Sequence, residues 1–154
     1  MKIVDFLNEK AIVASLKSTS KENIIRELVD VLAKAEGIRG KEELVKVLIN
    51  RESLGSTGIG QGVGIPHGKT NTVKKLIAAF GISHEGVNFD ALDGDPVYIF
   101  FLLVAPEDSA GPHLKGLARI SRLLKDKFFR ESLKALTDEK AIYKLIREED
   151  AKKP

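Results

Sequence analysis

The sequence predicts a single-domain three-layer α/β sandwich, in which a small mixed β-sheet is flanked by helices on both sides. One observation is the continuous apolar run from Val97 to Val104, which is typical of a central strand covered on both faces. Another is the alternation of strand-like segments with segments of helical periodicity. The 154 residues suffice for one domain with a sizeable core. We expect this domain to occupy residues 1–150, with a short C-terminal tail at 151–154.

The first two elements are predicted to be a strand and an amphipathic helix. Residues 11–16 are mostly apolar and indicate a short strand. Thr19 lies three residues before Glu22, which is the spacing of a capping box and predicts the start of a helix. Apolar residues then recur with helical periodicity, and Gly37 suits the position that follows the end of a helix.

A second helix is predicted from about Lys41 to Ser53. Four aliphatic residues at helical spacing should form its inner face. They are Leu44, Val45, Leu48 and Ile49. A glycine-rich segment begins at the end of this helix, and we expect it to be a loop.

Strand signals dominate the middle of the chain. Residues 76–82 indicate a largely buried strand, and residues 87–89 indicate a short edge strand. The sequence Asp-Gly-Asp-Pro at 93–96 is a turn signal, and the central strand follows it directly.

Three helices are predicted to close the chain. The first begins near His113, and the others lie near residues 127–136 and 138–149, the last one capped by Thr137. Four apolar residues should form the inner face of the first of these helices. They are Leu114, Leu117, Ala118 and Leu124.

The composition limits where the chain can act and what it can bind. It contains no cysteine, so it forms neither disulfides nor a cysteine-borne intermediate. The longest apolar run, Val97 to Ala105, is too short to cross a bilayer, and the N-terminus lacks the apolar region of a signal peptide. The 25 basic residues are interleaved with 22 acidic ones, unlike a nucleic-acid-binding arm. We therefore expect a cytoplasmic protein with no direct membrane insertion and no nucleic-acid partner.

The most informative segment runs from Arg51 to His67. Glycine occupies every second position from Gly58 to Gly64, and glycine lets the main chain approach a ligand closely. Pro66 restricts the backbone just before His67. Since a neutral imidazole can act as a nucleophile, the segment predicts a site where His67 briefly carries a phosphoryl group.

Four further residues are candidates for the same chemistry. Arg51 can offer a planar charged fork to phosphoryl oxygens, while Ser56, Thr57 and the glycine N–H groups can donate hydrogen bonds. His113 opens a predicted helix whose positive end disfavours imidazolium, so it should stay neutral and support the reaction. The alternatives are a surface cation at a helix end for Arg51 and a polar helix-start residue for His113. His84 is expected to be an ordinary surface histidine.

The glycine-rich segment does not match the nucleotide-binding motifs. A P-loop needs four residues between its first glycine and Gly-Lys-Thr, whereas Gly62 leaves five and Gly64 leaves three. The dinucleotide pattern G-x-G-x-x-G fails at its last glycine. The three histidines also lack the helical spacing of a zinc site, so we expect neither a metal nor another cofactor.

Three separated motifs run in order along nearly the whole chain. They are Arg51-Glu52 with Ser56–Gly60 and Ile65–His67, then Phe89–Val97 with Phe101–Pro106, and finally His113–Leu124. Together they resemble the IIA phosphocarrier domains of the fructose–mannitol branch of the bacterial sugar phosphotransferase system.

The resemblance implies a phosphotransferase with a phosphohistidine intermediate. A small HPr-type phosphocarrier protein would phosphorylate the family histidine that matches His67, and an EIIB protein or domain on a separate chain would accept the group. The second family histidine matches His113, and the phosphate-contacting arginine matches Arg51. A free-standing IIA of this branch can instead be of the nitrogen-regulatory type, which controls partner proteins through its phosphorylation state.

Overall fold

A mixed sheet of six strands forms the middle layer of the computed structural model, which describes all 154 residues. The strands are β1 (Leu7–Val13), β2 (Gly58–Gly60), β3 (Val63–Gly64), β4 (His67–Lys69), β5 (Ile77–Val87) and β6 (Val97–Ala105). The helices are α1 (Lys21–Glu36), α2 (Lys41–Ser53), α3 (Ala110–Leu123), α4 (Lys127–Lys134) and α5 (Glu139–Ala151). None of these helices combines the length and the apolar composition that spanning a membrane requires.

Strand β6 lies at the centre of the sheet, as its apolar sequence predicts. It pairs antiparallel with β5 on one side and parallel with both β3 and β4 on the other. β1 extends the sheet beyond β5 in parallel, and β2 adds an antiparallel edge to β3.

Helices cover both faces of the sheet, which confirms the predicted three-layer sandwich. Alternate residues of β5 and β6 enter two separate apolar cores of 20 buried residues each, so the two faces are covered equally. Phe80 and Phe101 pack edge to face at 5.1 Å on the side of α3, α4 and α5. Phe100 and Leu102 belong to the opposite core with α1 and α2.

The bounds of α2 agree with the prediction, and Gly37 follows α1 in the left-handed conformation with φ of 69°. The predicted strand at 11–16 is shifted, because β1 starts at Leu7. Both predicted caps are wrong by one residue. Ser20 rather than Thr19 caps α1, by accepting from the main-chain N–H of Asn23, and Asp138 replaces Thr137 at α5 in the same way.

The glycine-rich segment is not a loop, because β2, β3 and β4 all lie within it or at its end. Gly60 and Gly62 have φ angles of 98° and 77° on either side of Gln61, so they form the tight connection from β2 to β3. The expected edge strand at 87–89 is also absent as a separate element, since β5 continues without a break to Val87.

Helix α3 starts three residues earlier than predicted and presents a different face to the sheet. Leu114 is 68% exposed and Ala118 is exposed as well, whereas Leu117 is half-buried and Leu124 is buried. The inward residues are His113, Gly116, Ile120 and Leu123. A Cβ at Gly116 would lie 3.3 Å from the Leu103 and Leu76 side chains, so a small residue lets the helix pack closely on β6.

The last turn of α5 joins the two ends of the chain to α3. The Asp150 carboxylate is 1% exposed and accepts from Nε of Arg119 and from the main-chain N–H of Ile3, both at 2.6 Å. The carbonyl of Lys153 accepts from the Lys2 ammonium and from Arg119.

Candidate functional site

His67 is the first residue of β4 and lies at the edge of the sheet beside β6. Its half-buried ring places Nδ1 2.7 Å from the main-chain oxygen of Ile65. Because a carbonyl oxygen can only accept, Nδ1 must carry the ring proton. The lone pair of the neutral ring therefore lies on Nε2, the nitrogen that is free to act as a nucleophile.

Burial is the main reason that the pKa of His67 is lowered from its ordinary value. The bond to Ile65 raises this pKa, the charge of Arg51 lowers it, and the charge of Glu52 raises it again. The net lowering favours the uncharged ring at neutral pH, as the sequence predicts.

His113 lies in the first turn of α3, with its ring centroid 5.5 Å from that of His67. It is 7% exposed, and its Nε2 has no hydrogen-bond partner in the protein. Buried polar nitrogens are normally paired, so this one is available to a ligand.

The pKa of His113 is lowered to about 4, first by burial and then by the positive charges of His67 and Lys69. The sequence predicts a neutral His113 for another reason, the dipole of α3. The neutral state agrees with that prediction, but burial is its principal cause.

Stability should depend on pH through His113. Its pKa in the folded chain lies below the ordinary value of about 6.5, so only the unfolded chain binds this proton between about pH 6.5 and pH 4. As the pH is lowered from about 6.5 to about 4, the free energy of unfolding of the wild-type chain should therefore fall. The fall should exceed that of His113→Asn by up to about 3 kcal/mol. Urea unfolding at a series of pH values measures this difference, and parallel curves for the two proteins would contradict it.

Arg51 lies in the last turn of α2 and is half-buried. One guanidinium nitrogen donates to the main-chain oxygen of Gly55 at 2.9 Å, which fixes the group beside the β2 segment. Its positive charge lowers the pKa of His67. Its remaining N–H groups suit the oxygens of a phosphoryl group.

The hydroxyls of Ser56 and Thr57 make other contacts than the predicted ones. Ser56 Oγ donates to the Phe89 carbonyl at 2.7 Å and accepts from the N–H of Gly58. Thr57 is buried, and its hydroxyl donates to the carboxylate of Glu52. Since each hydroxyl has only one proton, neither can donate to a phosphoryl oxygen in this arrangement.

Sequence reasoning missed Glu52 as a residue of the site. This carboxylate is 5% exposed and lies on the inner face of α2, four residues after Leu48. That spacing is the signal that could have revealed it, because a charged residue in line with buried aliphatic ones needs a buried partner.

His84 does not join the other two histidines. It is exposed, and its Nε2 lies 3.0 Å from the main-chain oxygen of Ala14, just after β1. No three His, Cys, Asp or Glu side chains are grouped in a way that could hold a metal ion.

Comparison with known proteins gives one family. The sequence profile of the family described as "Phosphoenolpyruvate-dependent sugar phosphotransferase system, EIIA 2" matches residues 5–149. The chain is 41% identical over 148 residues to a nitrogen regulatory protein of Bradyrhizobium diazoefficiens, covering 95% of each. It is 39% identical over 150 residues to the fructose-specific EIIABC component of Bacillus subtilis, covering 97% of this chain but only 24% of that protein.

The fold has a close counterpart among solved structures. The crystal structure of nitrogen regulatory protein IIA-Ntr from Neisseria meningitidis superimposes with a TM-score of 0.86 at 35% sequence identity. The match covers 94% of this chain and 98% of that one.

Proposed function

We propose that this chain, which belongs to the EIIA 2 family of the phosphoenolpyruvate-dependent sugar phosphotransferase system, carries a phosphoryl group on His67. The observation that carries this proposal is the bond from Nδ1 of His67 to the Ile65 carbonyl. It leaves Nε2 with its lone pair, in a ring that lies next to the buried ring of His113.

The proposed reaction begins with a phosphohistidine on an HPr-type phosphocarrier protein. Nε2 of His67 attacks the phosphorus as the phosphorus–nitrogen bond of the donor breaks, and the bonding pair returns to the donor imidazole. Arg51 binds the phosphoryl oxygens through its free N–H groups, and neutral His113 faces the same group without adding charge.

To unload the site, a nucleophile on the acceptor attacks the phosphorus as the bond to Nε2 of His67 breaks, and the bonding pair returns to the His67 ring. The acceptor in this proposal is an EIIB component of a fructose- or mannitol-type sugar system. Both partners must reach the His67 ring. Ile59 on β2 is 46% exposed and offers them an apolar contact on the segment that precedes His67. Such exchange between carrier proteins would take place in the cytoplasm.

A second candidate function is regulation of partner proteins by the phosphorylation state of His67. It is favoured by the 41% identity to a nitrogen regulatory protein over 95% of both chains, and by the TM-score of 0.86 with IIA-Ntr. The chemistry at His67 is the same in both cases, and only the fate of the phosphoryl group differs.

One experiment tests the shared step and separates the two fates. The chain is incubated with phosphoenolpyruvate, enzyme I and an HPr-type protein, and an acid-labile phosphoryl group is sought by intact-mass spectrometry. The labelled chain is then mixed with a fructose-type EIIB. Transfer to EIIB supports the carrier role, a label that stays supports the regulatory role, and the absence of any label defeats both.

A further inference from the structure

Glu52 is a buried carboxylate that the reaction itself does not use. Its two oxygens accept three donors from two different parts of the chain. Thr57 donates both its main-chain N–H, at 3.0 Å, and its hydroxyl. The ammonium of Lys21, the first residue of α1, lies 3.0 Å from Oε2.

Lys21 neutralises Glu52, which makes the burial of this carboxylate tolerable. An unpaired carboxylate at this depth would be strongly unfavourable. Lys21 is itself held by Asp90 at 3.2 Å and by the ring of Phe89, whose centroid lies 5.0 Å from the ammonium. The carboxylate is therefore fixed between α1, the end of α2 and the segment that enters β2.

From Thr57 the hydrogen bonds continue to the reacting ring. The Thr57 carbonyl accepts from the N–H of Ile65 at 3.0 Å. The Ile65 carbonyl in turn accepts from Nδ1 of His67 at 2.7 Å. An unbroken series of contacts thus connects Glu52 with the nitrogen whose proton decides which side of the ring can react.

We propose that Glu52 is a positioning residue for His67, which acts through Thr57 and Ile65 to keep the ring proton on Nδ1 and the lone pair on Nε2. This inference rests on the phosphoryl transfer proposed above. Residues that orient a reactive side chain in this way commonly matter for rate although they never touch the substrate.

The decisive variant is Glu52→Gln, which keeps the shape but replaces one acceptor oxygen by an NH₂ group. The Lys21 ammonium then loses its counter-charge, and the Thr57 hydroxyl must turn to accept from the new NH₂ group. The Thr57 segment should therefore shift, and the Ile65 carbonyl with it. Two-dimensional ¹H–¹⁵N spectra of the histidine rings report the tautomer of His67, and phosphorylation by an HPr-type protein reports the rate. Glu43→Gln is the matched control, because Glu43 lies exposed on the same helix.

We expect Glu52→Gln to populate the Nε2–H tautomer of His67 and to be phosphorylated roughly tenfold more slowly or worse. Thr57→Val should do the same to a smaller degree, and Thr57→Ser, which keeps the hydroxyl, should restore both readouts. An unchanged His67 tautomer in Glu52→Gln overturns the proposal. If that variant does not fold, an unchanged tautomer in Thr57→Val overturns it instead.

The two proposals fail in different ways. A wild-type chain that takes no phosphoryl group defeats the proposed function. A wild-type chain that is phosphorylated normally, beside a Glu52→Gln variant with the same tautomer and rate, defeats the positioning role of Glu52 alone.

Discussion

His67→Ala is expected to take up no phosphoryl group from a phosphorylated HPr-type protein, whereas the wild-type chain does. The variant removes the imidazole whose Nε2 is free to attack, and the chain contains no cysteine to replace it. His113 cannot take over efficiently, because only 7% of its surface is exposed to an incoming carrier. The measurement is acid-labile label on the intact protein after incubation with phosphoenolpyruvate, enzyme I and the carrier.

His84→Ala is the matched control for this variant. His84 is exposed, and its ring nitrogen lies by the Ala14 carbonyl rather than by the other two histidines, so its loss should leave both the extent and the rate of labelling unchanged. In the labelled wild type, the phosphoryl group should be on Nε2 rather than on Nδ1, which ³¹P–¹⁵N spectra distinguish. Label that persists in His67→Ala, or a group found on Nδ1, would contradict the assignment.

The sheet and its layers could be predicted because their signals are continuous and local. In the apolar run that became β6 only Tyr98 is partly exposed, and the buried Leu44, Val45 and Leu48 of α2 stand at helical spacing. By contrast, both wrong caps occur where two residues that can cap stand side by side. Thr19 and Ser20 carry the same hydroxyl group, and it is the oxygen of Ser20, in an extended backbone conformation, that accepts from the N–H of Asn23.

The face of α3 could not be predicted from hydrophobicity alone. Helix α3 starts at Ala110, before Pro112. Proline is tolerated in the first turn of a helix, because main-chain N–H groups have no partner within the helix there. Gly116 then faces the sheet because it is small, and Leu114 is left in solvent. Close packing against β6 therefore outweighs the burial of one leucine.

The site was only partly predictable, for a related reason. His67, His113 and Arg51 stand out by residue type and by neighbouring glycine and proline. The roles of Ser56 and Thr57 depend on which acceptors the fold brings near them. The Thr57 hydroxyl donates to Glu52, which lies five residues earlier at the end of α2. The positive charge that neutralises Glu52 comes from Lys21, 31 positions before it. The spacing of Glu52 in α2 indicates that it is buried, but not which partners the fold brings to it.

Arg51→Lys is expected to slow phosphorylation of His67 by about ten- to a hundredfold while leaving the fold intact. Lysine keeps the positive charge but not the planar fork, so it cannot hold both the Gly55 carbonyl and two phosphoryl oxygens. Rapid-quench kinetics with an HPr-type donor measures the rate, and thermal unfolding checks the fold. Arg39→Lys is the control, because Arg39 is exposed just before the opposite end of α2. If both variants react as fast as the wild type, charge alone suffices and the forked contact to the phosphoryl group has no part in the transfer.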